Sequence, residues 1–169
     1  MKVLVTSDSH DRWDYLENAI EKGHEEGCEV MLSAGDFMSP PGVAILKKFN
    51  GPVHIVLGNN DGELVGLARM IDESENITLH YKFGESAMIE KIGGLTFFMN
   101  HYPSMVRNAA MTGNYDVCVY GHDHVYNFEK LENSTILLNP GEIQGYKTGS
   151  STCMIFDTDS KEVTKLILN

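Results

Sequence analysis

The chain has 169 residues, 42% of them hydrophobic and 22% charged, and carries a formal net charge of −11. That length buries a continuous core without disulfides, so one domain over residues 1–169 is expected. The acidic balance disfavours a protein that grips nucleic acid through a basic stripe, since the 13 Lys and Arg gather no further than the Lys47-Lys48 pair.

Lys2 to Ser7 reads as a buried strand, and the opening MKVLVTS has no basic region, long apolar region or cleavage site. No apolar stretch is long enough to span a bilayer, so a cytoplasmic protein with no membrane partner is expected. Trp13, Leu16, Ala19 and Ile20 take helical spacing between Asp11 and Glu26, and Gly27 closes that helix. Val30 to Ser33 is a second strand, and Pro40-Pro41-Gly42 turns into a short helix through Val43, Ile45, Leu46 and Phe49. Pro52 to Leu57 is a third strand, followed by a short helix over Leu64 to Ile71. Alternating strand and helix predicts right-handed parallel crossovers.

Beyond Ile77 the pattern turns mostly to β. Ser86 to Ile92 and Leu95 to Met99 flank Gly93-Gly94, a two-residue hairpin turn. Val117 to Tyr120, Val125 to Leu131, Thr135 to Leu138, Thr152 to Phe156 and Val163 to Leu168 are short strands, with one helix between Pro103 and Met111. With no linker between the halves, two packed sheets within one α/β domain are expected. Cys28, Cys118 and Cys153 are odd in number, widely spaced and set beside apolar residues, which makes them small buried hydrophobes in a reducing compartment.

The chemistry lies where these apolar runs stop. A strand ending at a sheet edge presents its next residues to a crevice where open α/β sheets bind ligands. Asp8 and His10 follow the first strand, Asp36 the second and Asn59 the third; His101 follows Leu95 to Met99, and His122 and His124 follow Val117 to Tyr120. Two carboxylates, one amide and four imidazoles are too many for one tetrahedral ion and suit two ions sharing a carboxylate. Turn and capping chemistry explains one or two such residues, since Asp36 and Asn59 sit where Asx turns are common. It does not explain all seven.

The order of these motifs resembles the calcineurin-like metallophosphoesterase family, whose pattern is D-x-H, G-D, G-N-x-[DE], a lone H and G-H-x-H. Here they read Asp8-Ser9-His10, Gly35-Asp36, Gly58-Asn59-Asn60-Asp61, His101 and Gly121-His122-Asp123-His124. The small size and Asn139-Pro140-Gly141-Glu142 look like the compact archaeal and bacterial phosphodiesterase branch. The resemblance implies two packed mixed β-sheets flanked by helices, a four-layer sandwich. It implies one ion held by Asp8, His10, Asp36 and His124, and a second held by Asp36, Asn59, His101 and His122, with Asp36 bridging. A hydroxide between the ions would attack phosphorus in line, and His122 would stabilise charge on the phosphoryl oxygens. Mixed nitrogen and oxygen ligands suit manganese first, with iron, zinc or nickel as alternatives.

Two positions depart from the pattern. Asn60 replaces a histidine that resembles a proton donor in many family members, and a neutral amide cannot protonate a leaving group. Tyr102-Pro103 follows His101 where glycine is common. Asp61 reads either as the acceptor that orients a ligand imidazole or as a helix N-cap. Arg12 reads either as a phosphate ligand or as a solvated residue at a helix start. Asn139 to Glu142 reads as a structural turn, and His24, His54 and His80 as residues outside the site. Specificity is expected in loops 37–42 and 102–113. The expected activity is a metal-dependent phosphodiesterase acting on a small phosphoester. The alternatives are a phosphomonoesterase on the same centre and a non-catalytic scaffold of the same fold.

Overall fold

The computed structural model describes residues 1–37, 39–82 and 84–168. Met38, inside one expected specificity loop, lies outside them. In chain order the elements are β1 (Lys2–Thr6), α1 (Trp13–Glu25), β2 (Val30–Ser33), α2 (Pro41–Leu46), β3 (Val53–Ile55), α3 (Leu64–Asp72) and β4 (Ile77–Leu79). There follow β5 (Met88–Ile92), β6 (Leu95–Met99), α4 (Pro103–Met111), β7 (Val117–Val119), β8 (Asn127–Lys130), β9 (Ile136–Asn139), β10 (Thr152–Asp157) and β11 (Val163–Ile167).

These strands form two mixed sheets. The first runs β11-β10-β1-β2-β3-β4 and the second β5-β6-β7-β9-β8. β1, β2, β3 and β4 pair in parallel, as the strand–helix alternation requires. In the second sheet β6, β7 and β9 are parallel, with α4 crossing between β6 and β7. The hairpin forms as expected: Ile92 pairs with Leu95, and Gly93 and Gly94 take φ of 56° and 82°. A tight I′-type turn needs positive φ at both central residues, which glycine adopts without a Cβ clash.

Period-2 alternation sorts the core into three layers of contact. Leu4 and Met31 face one way and meet Leu16 and Ile20 of α1 and Val43 and Leu46 of α2. Val3, Val5 and Leu32 face the other way and meet Phe97, Met99, Val117 and Val119 of the second sheet. Cys118 and Leu137 on that sheet's outer face pack under Val106 and Ala110 of α4. The result is the four-layer α/β sandwich. Burial pushes the Cys118 and Cys153 thiols up to about 12 and Cys28 up to about 11, so they act as packing groups.

Two pairings were not legible locally. β4 is only three residues long and joins the parallel edge, while β10 returns to pair antiparallel with β1. Both C-terminal strands thereby extend the first sheet. The parallel strands of both sheets stop at the same rim, and their following loops are tied together. Asp8 N–H bonds Gly35 O at 3.0 Å, His10 N–H bonds Asp36 O at 3.0 Å, and Gly121 N–H bonds His101 O at 3.1 Å.

Candidate metal centre

All seven expected ligand residues meet at this rim. Asp36 stands in the middle: its Oδ2 lies 3.7 Å from His10 Nε2 and 3.4 Å from His101 Nε2. On one side, Asp8 Oδ1 lies 3.7 Å from His10 Nε2 and 3.3 Å from His124 Nε2. On the other, Asn59 Oδ1 lies 3.2 Å from His101 Nε2 and 2.8 Å from His122 Nδ1. Ligand atoms of Asp8, His10 and His124 fall within 4.8 Å of one another, and so do those of Asp8, Asp36 and His101. On the first side Asp8 and His124 are buried and His10 is half-buried, whereas Asn59 and His122 stand exposed. One flank of the centre therefore faces solvent and any incoming ligand.

The donor chemistry fits divalent ions. Asp8 is fully buried, yet its Oδ1 has no hydrogen-bond partner among the described residues. A buried carboxylate oxygen left without a donor is costly unless a cation meets it. Its other oxygen is satisfied, by Ser7 Oγ–H at 2.6 Å and His122 N–H at 3.0 Å, so Oδ1 is held in a fixed direction. Burial alone would push the Asp36 carboxyl up. The His101 imidazole and the Asn60 backbone and side-chain N–H groups outweigh that and hold it well below the usual carboxylate range. Asp36 thus offers a charged carboxylate to a cation.

Backbone strain accompanies this convergence. Asp8, His10, Asp36, His122 and His124 all have positive φ, between 42° and 73°. Non-glycine residues in this region cost on the order of 1–3 kcal/mol each and persist where the surrounding structure forces them. The motif glycines allow the close approach. A Cβ on Gly58 would lie 2.2 Å from Asp36 Oδ1, and one on Gly121 would lie 1.9 Å from Ser7 Oγ.

Two ligand imidazoles have their tautomers set from behind. His101 donates Nδ1–H to Ala34 O at 2.7 Å, and His124 donates Nδ1–H to Glu142 Oε2 at 2.7 Å. Each therefore turns an Nε2 lone pair into the centre. Glu142 is fully buried. Burial would raise its pKa, but the Thr148 backbone N–H and His124 lower it. Read only as part of a turn in the sequence, Glu142 is the functional residue that sequence reasoning missed; the one signal was a carboxylate just after a buried strand. The imidazole-orienting role expected of Asp61 is met at His124 by Glu142. Asp61 Oδ2 accepts the N–H groups of Asp36 at 2.9 Å and Gly58 at 2.7 Å, bracing the turns that carry Asp36 and Asn59. It is not the α3 cap, because Glu63 holds that position.

The remaining expectations resolve simply. Arg12 bonds Asp14 and the Gln144 carbonyl and lies over the Tyr15 and Tyr146 rings. Tyr102 packs its ring edge against His101 and His122, at 5.3 and 5.2 Å between centroids. Beside it a cavity of about 200 Å³ opens between Leu57, Leu64, Tyr81 and Tyr102. A cleft of about 360 Å³ reaches His124 beside Tyr126, Thr148 and Lys165, whereas the clefts at Phe49 and at Leu79 lie away from the expected ligands. His24 accepts the Asn50 N–H, and His54 bonds His80 at 2.9 Å, so none of these three joins the centre.

Comparison with known proteins agrees with this geometry. The profile of the calcineurin-like phosphoesterase superfamily domain matches residues 1–161. A phosphodiesterase of Methanocaldococcus jannaschii is 34% identical over 172 residues, covering 99% of this chain and 99% of that protein. A solved archaeal phosphodiesterase superposes with a TM-score of 0.90 at 33% identity, over 99% of this chain and 100% of the other. The phosphoesterase YfcE of E. coli (TM-score 0.66, 19% identity) and zinc-complexed Vps29 of Entamoeba histolytica (0.65, 16%) match over the full length of both chains and share the fold.

Proposed function

We propose a phosphodiesterase activity at two divalent ions for this chain, which belongs to the calcineurin-like phosphoesterase superfamily. The observation that carries the reading is Asp36 Oδ2, set between His10 Nε2 and His101 Nε2 and ionised. Asp8, His10, Asp36 and His124 hold one ion, and Asp36, Asn59, His101 and His122 hold the other. Such ions supply a nucleophilic hydroxide near neutral pH and neutralise charge on the phosphoryl group. Manganese suits this mixed donor set, with iron, zinc and nickel as competitors.

The protein's own groups do the rest. Glu142 and the Ala34 carbonyl hold two imidazoles in the tautomers that point their lone pairs inward. Asp61 keeps the Asp36 and Asn59 turns in register. His122, exposed beside Asn59, faces the side from which a phosphoryl oxygen arrives and stabilises its charge. Asn60 bonds the Asp36 carboxylate with both N–H groups and has no acidic proton. Leaving groups must therefore depart with little help, which favours diesters with acidic alcohols over alkyl monoesters.

The partner is a small phosphoester. The net charge of −11 disfavours long nucleic acids, and no helix among the described residues is long and apolar enough to cross a membrane. A cytoplasmic location completes this reading. The test is hydrolysis of an aryl phosphodiester and its monoester counterpart with manganese. The diester should turn over faster, and His122→Ala should abolish turnover with the fold intact. Full activity in that variant refutes the assignment, and faster monoester turnover shifts it to a phosphomonoesterase.

A further inference from the structure

Lys147 reaches the centre from the turn after Glu142. Its Nζ lies 2.8 Å from His124 Nε2. Because His124 gives Nδ1–H to Glu142, its Nε2 carries the lone pair, and the lysine ammonium is the donor. Asp8 Oδ1 stands 3.3 Å from the same Nε2. A divalent ion on that side of the centre needs this one lone pair. An ammonium and an ion cannot share it.

The backbone of the turn beside Lys147 is pinned. Thr148 donates its backbone N–H and its hydroxyl to Glu142 Oε1, at 2.6 and 2.8 Å. The carboxylate that orients His124 thus also anchors the residue next to Lys147. Gly145 and Gly149 bound the turn with φ of 70° and 77°. The four-carbon stem of lysine can swing its charge off Nε2 while the backbone stays pinned. Of the other cations described on this flank, Arg12 is already engaged by Asp14 and the Gln144 carbonyl, and Lys165 lies over the Tyr126 ring. In a chain of net charge −11, an anionic substrate gains most from a cation placed beside the ions.

The geometry points to Lys147 as a substrate-phosphate ligand that competes with the divalent ion for His124 Nε2, so that ion binding transfers its ammonium from the imidazole to the phosphoryl group. This rests on the phosphoesterase reading above. It predicts effects of opposite sign from one substitution. Lys147→Met removes the competitor, so manganese should bind about tenfold tighter by calorimetry, the value of one charge-assisted hydrogen bond. The same variant, loaded with manganese, should bind inorganic phosphate about tenfold more weakly. Lys147→Arg should keep much of the phosphate affinity. A lysine that only packs would leave both affinities unchanged or lower both, and either result overturns the inference while the phosphoesterase reading stands. A wild-type protein that takes up no divalent ion overturns both.

Discussion

Glu142→Gln is the substitution that most sharply separates a ligand-orienting carboxylate from a turn residue. Glu142 is fully buried and accepts hydrogen bonds from His124 Nδ1–H at 2.7 Å, Thr148 N–H at 2.6 Å and Thr148 Oγ–H at 2.8 Å. Glutamine matches the shape but has one oxygen and one NH2 group. If its oxygen stays with Thr148, the NH2 confronts His124 Nδ1 and drives the ring proton to Nε2, the atom meant for the ion. If it turns around, the Thr148 N–H and hydroxyl lose their acceptor. One buried bond to a charged group is lost either way, about 1.5–3 kcal/mol. An outer partner of a ligating histidine is worth about 10–100-fold in metal affinity. At about 1.4 kcal/mol per tenfold, the two scales agree. Manganese titration by calorimetry, with thermal melts beside it, should show affinity falling by that factor and the melting point dropping by about 2–4 °C per kcal/mol. A folded Glu142→Gln protein that binds manganese within twofold of the parent refutes the reasoning.

Further outcomes follow from the same geometry. Gly58→Ala would place a Cβ 2.2 Å from Asp36 Oδ1; the overlap should cost about 1–3 kcal/mol in chemical denaturation and weaken metal binding, and unchanged affinity would show that the Asp36 turn yields freely. Phe97→Ala empties the fully buried slot between the sheets, where Phe97 meets Phe156 edge-on at 5.9 Å; denaturation should show a loss of about 3–5 kcal/mol. Burial, and for His80 also its neighbour His54, holds the His54 and His80 pKa values below normal. Both rings are neutral when folded and protonate on unfolding, so stability is full above about pH 6.5 and falls as pH drops below it. His80→Gln should flatten that slope in melts between pH 8 and 5, and identical slopes would rule out the pair as its source. The lowered pKa of Asp36 acts in the acid range: its stabilisation is present above about pH 4 and disappears as pH falls further.

The convergence of the candidate site was legible because its expected ligands sit at fixed offsets from strand ends. Asp8, Asp36, Asn59, His101, His122 and His124 each follow an apolar run, and the runs end on one rim because their strands lie parallel. The crossovers and the Gly93-Gly94 hairpin were likewise written in local periodicity and turn chemistry. What stayed hidden depends on long-range pairing. β10 pairs with β1 across most of the chain, and that return brings the 142–148 turn beneath His124. Glu142 and Lys147 reach His124 only through it, so no local pattern marked them. The bonds of Asp61 to the Asp36 and Gly58 amides were likewise hidden, because only the meeting of two turns reveals them. The positive φ of Asp8, His10, Asp36, His122 and His124 was hidden too, since such values are uncommon for any non-glycine residue.

Metal stoichiometry of Asp36→Asn against the parent chain, measured by equilibrium dialysis with elemental analysis, reaches the core of this reading. The parent should hold two manganese ions per chain, and the variant at most one, with aryl phosphodiester hydrolysis gone and the fold unchanged by circular dichroism. A variant that keeps two ions and the parent's rate would show that Asp36 does not bridge them.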